Sequence, residues 1–415
     1  MRRVLVVLSC VGLLAGACAR TDPSAPQTRT VLADFSHDEF SSFFLDYFPG
    51  RITVRPGDTV EFKQTWTGEP HSVTAGTLVD TMMNLVKPYK EAAERGEELP
   101  KEEPPEVEAS FQSLPWMFAD EDKIAQNGAQ PCYLQTGTPP KDTETPCKQV
   151  PQPAFNGKQS YYHSGFIPYE GPKGNKFSAK MSDDIKPGIY NYYCNLHGPF
   201  MSAEIEIKAK GSAIPSQDEV NRKARKEIEK ASSPLRKEFR NAGSKKLAPK
   251  EQERTALVEA GVMKEGELLF TGNLAGVPVD GPNVQAGINE FVPRTIKAKV
   301  GQKVSWTQFG RHTISFDVPK YFPSFSIAKG GKVVINPKLT PPAGGSPEVP
   351  EQPHGEGPSK PPVIDGGTWD GKGFFSSGLI AGDPFLVYSL RFSKPGKYVY
   401  ACLIHPPMVG TVEVS

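Results

Sequence analysis

Apolar and polar positions alternate with period two in two stretches of the chain that match position for position. In the first, Ile52, Val54, Val60 and Phe62 take the apolar places around Gly57; in the second, Ile296, Ala298, Val304 and Trp306 do so around Gly301. A period of two puts those side chains on one face of a strand, so each stretch predicts a strand, a glycine turn and a second strand. The correspondence then continues in the same order. Each second strand leads to a histidine with a β-branched residue two places on, His71 with Val73 and His312 with Ile314. Ser164-Gly165-Phe166-Ile167 matches Ser377-Gly378-Leu379-Ile380, and Pro187-Gly188 matches Pro395-Gly396. After each Pro-Gly comes an alternation ending in cysteine: Tyr190, Tyr192, Cys194 and Tyr398, Tyr400, Cys402. This ordered series of matched blocks is an internal repeat, and it dominates the organisation of the chain.

Between the repeats the pattern changes. Leu78, Met82, Leu85 and Val86 fall at helical spacing and predict a helix over 78–94. It opens an insertion, 78–158, that continues through acidic, proline-containing sequence to Cys132 and Cys147. The second half carries a Pro/Gly-rich run, 337–363, in the corresponding place. Both read as surface excursions. Residues 209–262 mix Lys, Arg and Glu densely; Val220, Ala224 and Ile228 form a thin helical stripe, and Pro234 and Pro249 divide the segment. A helical linker resting lightly on the halves, with its charges solvated, is the expectation. Residues 19–30 read as a polar tether, and the aromatics from Phe35 to Phe48 as a first strand and core material. The expected organisation is a leader over 1–18, a β domain over 31–208 with insertion 78–158, a charged helical linker over 209–262, and a second β domain over 263–415 with loop 337–363.

Composition agrees with that picture. The 415 residues suffice for two domains and a linker, and 39 Gly with 41 Pro favour turn-rich β structure. A net charge of +1 makes no case for nucleic acid. Arg2 and Arg3 precede an apolar run from Val4 to Leu14 and the small residues Ala15-Gly16-Ala17 before Cys18. This reads as a secretory signal, too short to span a bilayer. Small residues directly before a cysteine resemble the lipobox of bacterial lipoproteins, although Ala15 stands where Leu is usual. The resemblance implies lipid on Cys18 and anchoring to the outer face of the cytoplasmic membrane; ordinary cleavage or an uncleaved anchor are the alternatives. In an oxidising setting Cys132 and Cys147 are expected to form a disulfide closing a proline-rich loop.

Each half supplies an early His and a late Cys, His and Met: His71, Cys194, His197 and Met201 in the first, and His312, Cys402, His405 and Met408 in the second. One thiolate, two imidazoles and a weak thioether suit copper in both oxidation states. Zinc would prefer further Cys, His or carboxylate ligands to Met, and the Cys-x2-Cys-His of haem attachment is absent. The pattern resembles the blue copper proteins, or cupredoxins, among them plastocyanin, azurin, pseudoazurin and amicyanin. The Cys402 loop has the Cys-x2-His-x2-Met spacing of amicyanin; the Cys194 loop is one residue longer.

That resemblance implies a mainly β fold with two Greek-key cupredoxin β-sandwiches, each holding one mononuclear type 1 copper. It implies one-electron transfer with redox partners such as a cytochrome or an oxidase. The edge of the second histidine, His197 or His405, would be the exposed route for electrons. Apolar neighbours border it: Leu196, Pro199 and Phe200 in one half, Ile404, Pro406 and Pro407 in the other. No enzyme is expected. The His-x-His pairs of multicopper oxidases are absent, and Tyr193 and Ala401 stand where copper nitrite reductases place a bridging histidine. His37, His163 and His354 are spare and read as surface or structural. The alternative function is copper sequestration or delivery without an electron-transfer partner. Such proteins more often carry Met-rich or His-rich tracts, whereas this chain has 8 Met and no such tract.

Overall fold

A computed structural model describes residues 25–243, 268–271 and 286–415, apart from short breaks and four longer ones at 125–152, 168–175, 340–362 and 380–386. Cys18, Cys132, Cys147 and His354 lie outside the described residues. The fold is mainly β, with a pair of sheets in each half. In the first half one sheet runs Lys176–Lys180, Thr59–Gln64, Thr28–Ala33, Tyr47–Phe48; the other runs Arg51–Val54, Gly198–Ile207, Gly188–Cys194, Thr74–Ala75, Tyr162–His163. In the second half the sheets are Leu268–Thr271, Lys303–Thr307, Val387–Phe392, Val363–Trp369, and Thr295–Ala298, Val409–Val414, Gly396–Ala401, Ser315–Phe316, Phe375–Ser376. In each half the chain crosses repeatedly between the two sheets and ends in a hairpin within one of them, Gly188–Cys194 with Gly198–Ile207 and Gly396–Ala401 with Val409–Val414, as in a Greek-key sandwich. Gly57 and Gly301 make the first crossing, at φ +85° and +76°, a left-handed conformation that glycine adopts without strain.

The alternation read from sequence is what fills each core. Ile52, Val54, Val60, Phe62, Tyr192 and Cys194 are buried together in the first half; Ile296, Ala298, Val304, Trp306, Tyr400 and Cys402 are buried together in the second. Phe62 meets Tyr192 edge-on with ring centres 5.0 Å apart, and Trp306 meets Tyr400 edge-on at 5.5 Å. The Trp306 indole N–H also donates to the Tyr400 hydroxyl at 3.2 Å.

Three expectations need correction. The tether ends before residue 28, because Thr28–Ala33 is a strand running parallel to Thr59–Gln64. The insertion does more than decorate the surface. Its helix Thr77–Glu94 buries Val79, Met82, Met83 and Val86 against Tyr161 and against Tyr193, the residue before Cys194 on its strand. The linker helix spans Gln217–Gly243 and passes through Pro234 without stopping. The stripe of Val220, Ala224 and Ile228 is buried as expected. The helix does not rest lightly, however: Ala224, Ile228 and Leu235 join Phe40, Phe44, Phe48, Ala286 and Ile288 in a third hydrophobic cluster. Leu235, next to the proline, is buried there, so packing outweighs the local helix-breaking tendency. Among the described residues, no helix is long and apolar enough to cross a membrane.

That third cluster joins the halves through a symmetric contact. Ala286–Ile288 pairs antiparallel with Ser42–Phe44, in the register Ala286 with Phe44, Gly287 with Phe43 and Ile288 with Ser42. Each of these second-half residues stands 244 positions after its first-half counterpart, the same offset that relates Ile52 to Ile296. Where two residues pair, their counterparts therefore pair with each other, the signature of a local two-fold axis, here passing between Phe43 and Gly287. A side chain at Gly287 would sit 2.6 Å from the Phe43 ring, so glycine on one side of the axis makes room for phenylalanine on the other.

Candidate metal centres

Both histidine–cysteine sets converge. In the first half Cys194 Sγ lies 3.9 Å from His71 Nδ1 and 3.4 Å from His197 Nδ1, and the two Nδ1 atoms are 3.1 Å apart. In the second, Cys402 Sγ lies 3.7 Å from His312 Nδ1 and 3.6 Å from His405 Nδ1, with the nitrogens 3.0 Å apart. A metal bonded at about 2.0 Å to nitrogen and about 2.3 Å to sulfur holds such donors roughly 3.5–3.7 Å apart in a plane. Both triangles therefore fit one ion to within about half an ångström. Met201 and Met408 are fully buried in the clusters that contain Cys194 and Cys402.

Strand geometry places these groups. Cys194 ends Gly188–Cys194 and Cys402 follows directly on Gly396–Ala401. Tyr193 pairs with Ser202 and Ala401 with Val409, so in each half the methionine immediately precedes the residue facing the one before the cysteine. The extra residue of the first loop is absorbed as a register shift at Tyr193/Cys194, beside Gly198 at φ +74°. The second hairpin needs no shift; its turn closes through Met408 N–H to His405 O at 2.8 Å and Cys402 N–H to Met408 O at 3.0 Å.

Residues that the repeat did not single out complete each centre. The residue after the early histidine donates its backbone N–H to the thiol sulfur: Ser72 to Cys194 and Thr313 to Cys402, both at 3.4 Å. Their hydroxyls accept from the residue after each cysteine, Asn195 N–H at 2.9 Å and Leu403 N–H at 2.8 Å. The paired hydroxyl residues were visible in the sequence at His71-Ser72 and His312-Thr313. The matched Ser-Gly block braces the next residue: Ser164 Oγ accepts from Val73 N–H at 2.7 Å, and Ser377 Oγ from Ile314 N–H at 2.9 Å. In the first half Asp34 Oδ2 also meets His71 Nε2 at 3.0 Å, with both groups fully buried. No spacing signal pointed to Asp34, which lies outside every matched block.

Electrostatics favour the thiolate. Burial opposes ionisation of Cys194, but the facing imidazoles of His197 and His71 outweigh it and hold the thiol well below its ordinary range. The same balance, with His312 and His405 as partners, depresses Cys402. Burial likewise opposes a charge on His71, yet its hydrogen bonds to Asp34 and Cys194 keep its pKa above the usual imidazole value. A buried, thiolate-prone sulfur between two ring nitrogens is a soft, preformed metal-binding set.

The two sites differ in access. His197 is half-buried, whereas His405 is only 5 % exposed. The expected open edge is thus present at His197 and absent at His405, where Phe322, Leu339 and Leu403 pack together with Ile404 against them. The spare histidines behave structurally. His37 Nε2 is 2.6 Å from Ser232 Oγ, and His163, fully buried, has Nδ1 2.8 Å from Thr74 Oγ1.

No family model and no curated protein matches the chain. Among solved structures, the chain is similar to a copper(I) form of an amicyanin variant at 16% identity, over 38% of this chain and 89% of that one, with a TM-score of 0.18. It is also similar to a purple cupredoxin from Nitrosopumilus maritimus at 18% identity, over 36% of this chain and all of the other, with a TM-score of 0.17. Scores this low add nothing to the reading from strand order and donor geometry, which identify a mainly β chain with two candidate metal centres.

Proposed function

We propose that this protein is a one-electron carrier with one type 1 copper in each half, not an enzyme. The observation that carries the reading is the duplicated triangle of one buried sulfur and two Nδ1 atoms, each with a buried methionine in the same cluster. His71, Cys194 and His197 would hold the first copper, with Met201 as the weak axial ligand. His312, Cys402, His405 and Met408 would hold the second. Copper bound in such a set supplies a reversible one-electron couple.

The chain's own residues do the rest. The sandwich fixes the donors before the metal arrives, and the backbone N–H groups of Ser72 and Thr313 aim at the sulfurs. The methionines and core residues exclude water from the sulfur side. His197 offers the accessible edge for a partner, bordered by Leu196 and Phe200. Export, lipid on Cys18, attachment to the outer face of the cytoplasmic membrane, the Cys132–Cys147 disulfide and a cytochrome or oxidase partner belong to the same proposal. The test is rapid mixing of the copper(I)-loaded full chain with an oxidised soluble cytochrome. Fast one-electron exchange with both coppers retained supports a carrier. Slow exchange, with ready release of copper to a chelator, overturns it in favour of sequestration or delivery.

A further inference from the structure

Asp34 is a buried carboxylate whose surroundings are complete. Its Oδ1 accepts the backbone N–H groups of Phe35 at 2.5 Å and Phe44 at 2.6 Å, and its Oδ2 accepts the Thr67 hydroxyl at 2.6 Å and meets His71 Nε2 at 3.0 Å. Its backbone sits at φ +67°, a conformation non-glycine residues adopt at a cost and often where geometry is functional. Backbone and Thr67 donors hold the carboxylate independently of the histidine. Oδ2 therefore acts as a fixed acceptor for the Nε2 proton, and Nδ1 faces Cys194.

We propose that Asp34 is a positioning residue that fixes the proton on His71 Nε2, pushes electron density toward Nδ1, and lowers the first copper's reduction potential. The inference rests on the reading of both donor sets as copper sites. A carboxylate hydrogen-bonded behind a ligating imidazole raises the ligand's basicity. Copper(II) with one thiolate carries a net positive charge and copper(I) with one thiolate carries none, so a nearby anion favours the oxidised form.

The test is a redox titration of the fully copper-loaded full chain with ascorbate as donor, followed by the thiolate-to-copper absorption, with Cys402→Ser assigning the first site. Asp34→Asn should raise the first site's potential, leave the second unmoved, and weaken copper(II) binding at the first site about tenfold or more. Thr67→Val, which frees Oδ2 for His71 alone, should move the first potential the opposite way. A first potential unmoved in a copper-binding Asp34→Asn chain overturns the proposal; so does movement of both variants in one direction. An NMR arm on the metal-free chain keeps the result separate from the copper reading. The His71 Nε2 proton should resonate far downfield and move upfield in Asp34→Asn. Its absence from the unaltered chain removes Asp34 from the account even if copper binds. Failure to bind copper sinks the proposed function while this arm still judges the contact.

Discussion

The two halves share one strand-and-loop frame but are covered in different places. In the first half the insertion helix Thr77–Glu94 lies over the outer face of the cysteine hairpin, where Tyr193 is buried and Asp80 Oδ1 accepts from Asn191 N–H at 2.8 Å. The second-half counterparts of Asn191 and Tyr193 are Val399 and Ala401, and Val399 is 54 % exposed. At the loop end the contrast reverses: the first half leaves His197 partly open, while His405 is nearly buried and the loop residues Leu403 and Ile404 pack with Phe322 and Leu339. The frame, repeated with little change, fixes the donor triangle. The covers, which the repeat does not share, set the two halves apart, with His197 partly exposed and His405 nearly buried.

Substitutions can break that comparison at graded cost. The largest effect is expected at the sulfurs. Cys402→Ser should remove one copper per chain and the second site's thiolate absorption while sparing the first, and Cys194→Ser should do the converse. Metal analysis with visible spectra of both variants checks this, and loss of both bands from either one would mean the sites are not independent. Next comes Met82→Ala, which removes a fully buried side chain from the cover of the first half. It should cost about 2–5 kcal/mol, read by denaturant unfolding. Gly287→Val places a branched side chain against Phe43 at the local two-fold contact and should cost about 1–3 kcal/mol by overpacking. Calorimetry should show it as a lowered Tm with both copper bands intact. The smallest change is expected at the exposed Val399: Val399→Thr should alter stability by no more than about 0.5 kcal/mol. A loss there comparable to that of Met82→Ala would show that the bare face is covered in solution.

Much of this was legible in the chain because strand cores obey a period of two. Ile52, Val54, Val60 and Phe62, with their counterparts, are buried where alternation put them. The triangles were legible because their ligands sit on one hairpin loop plus a histidine after a matched strand. What escaped depends on contacts that no local period encodes. Asp34 reaches His71 across 37 positions through a left-handed turn. Pro234 argues locally for a break, yet the buried Leu235 beside it carries the helix onward. The strand Ser42–Phe44 finds its partner in the other half, so its aromatics read as core material without revealing which core. Phe322 and Leu339, far from the loop in sequence, likewise pack with Leu403 and Ile404, the two residues before His405.

Metal content and the visible spectrum of the full chain, purified under copper-replete conditions, test the central claim most directly. The account predicts two coppers per chain with an intense thiolate-to-copper absorption, halved in either cysteine variant. One copper, zinc in place of copper, or copper without that absorption would contradict it.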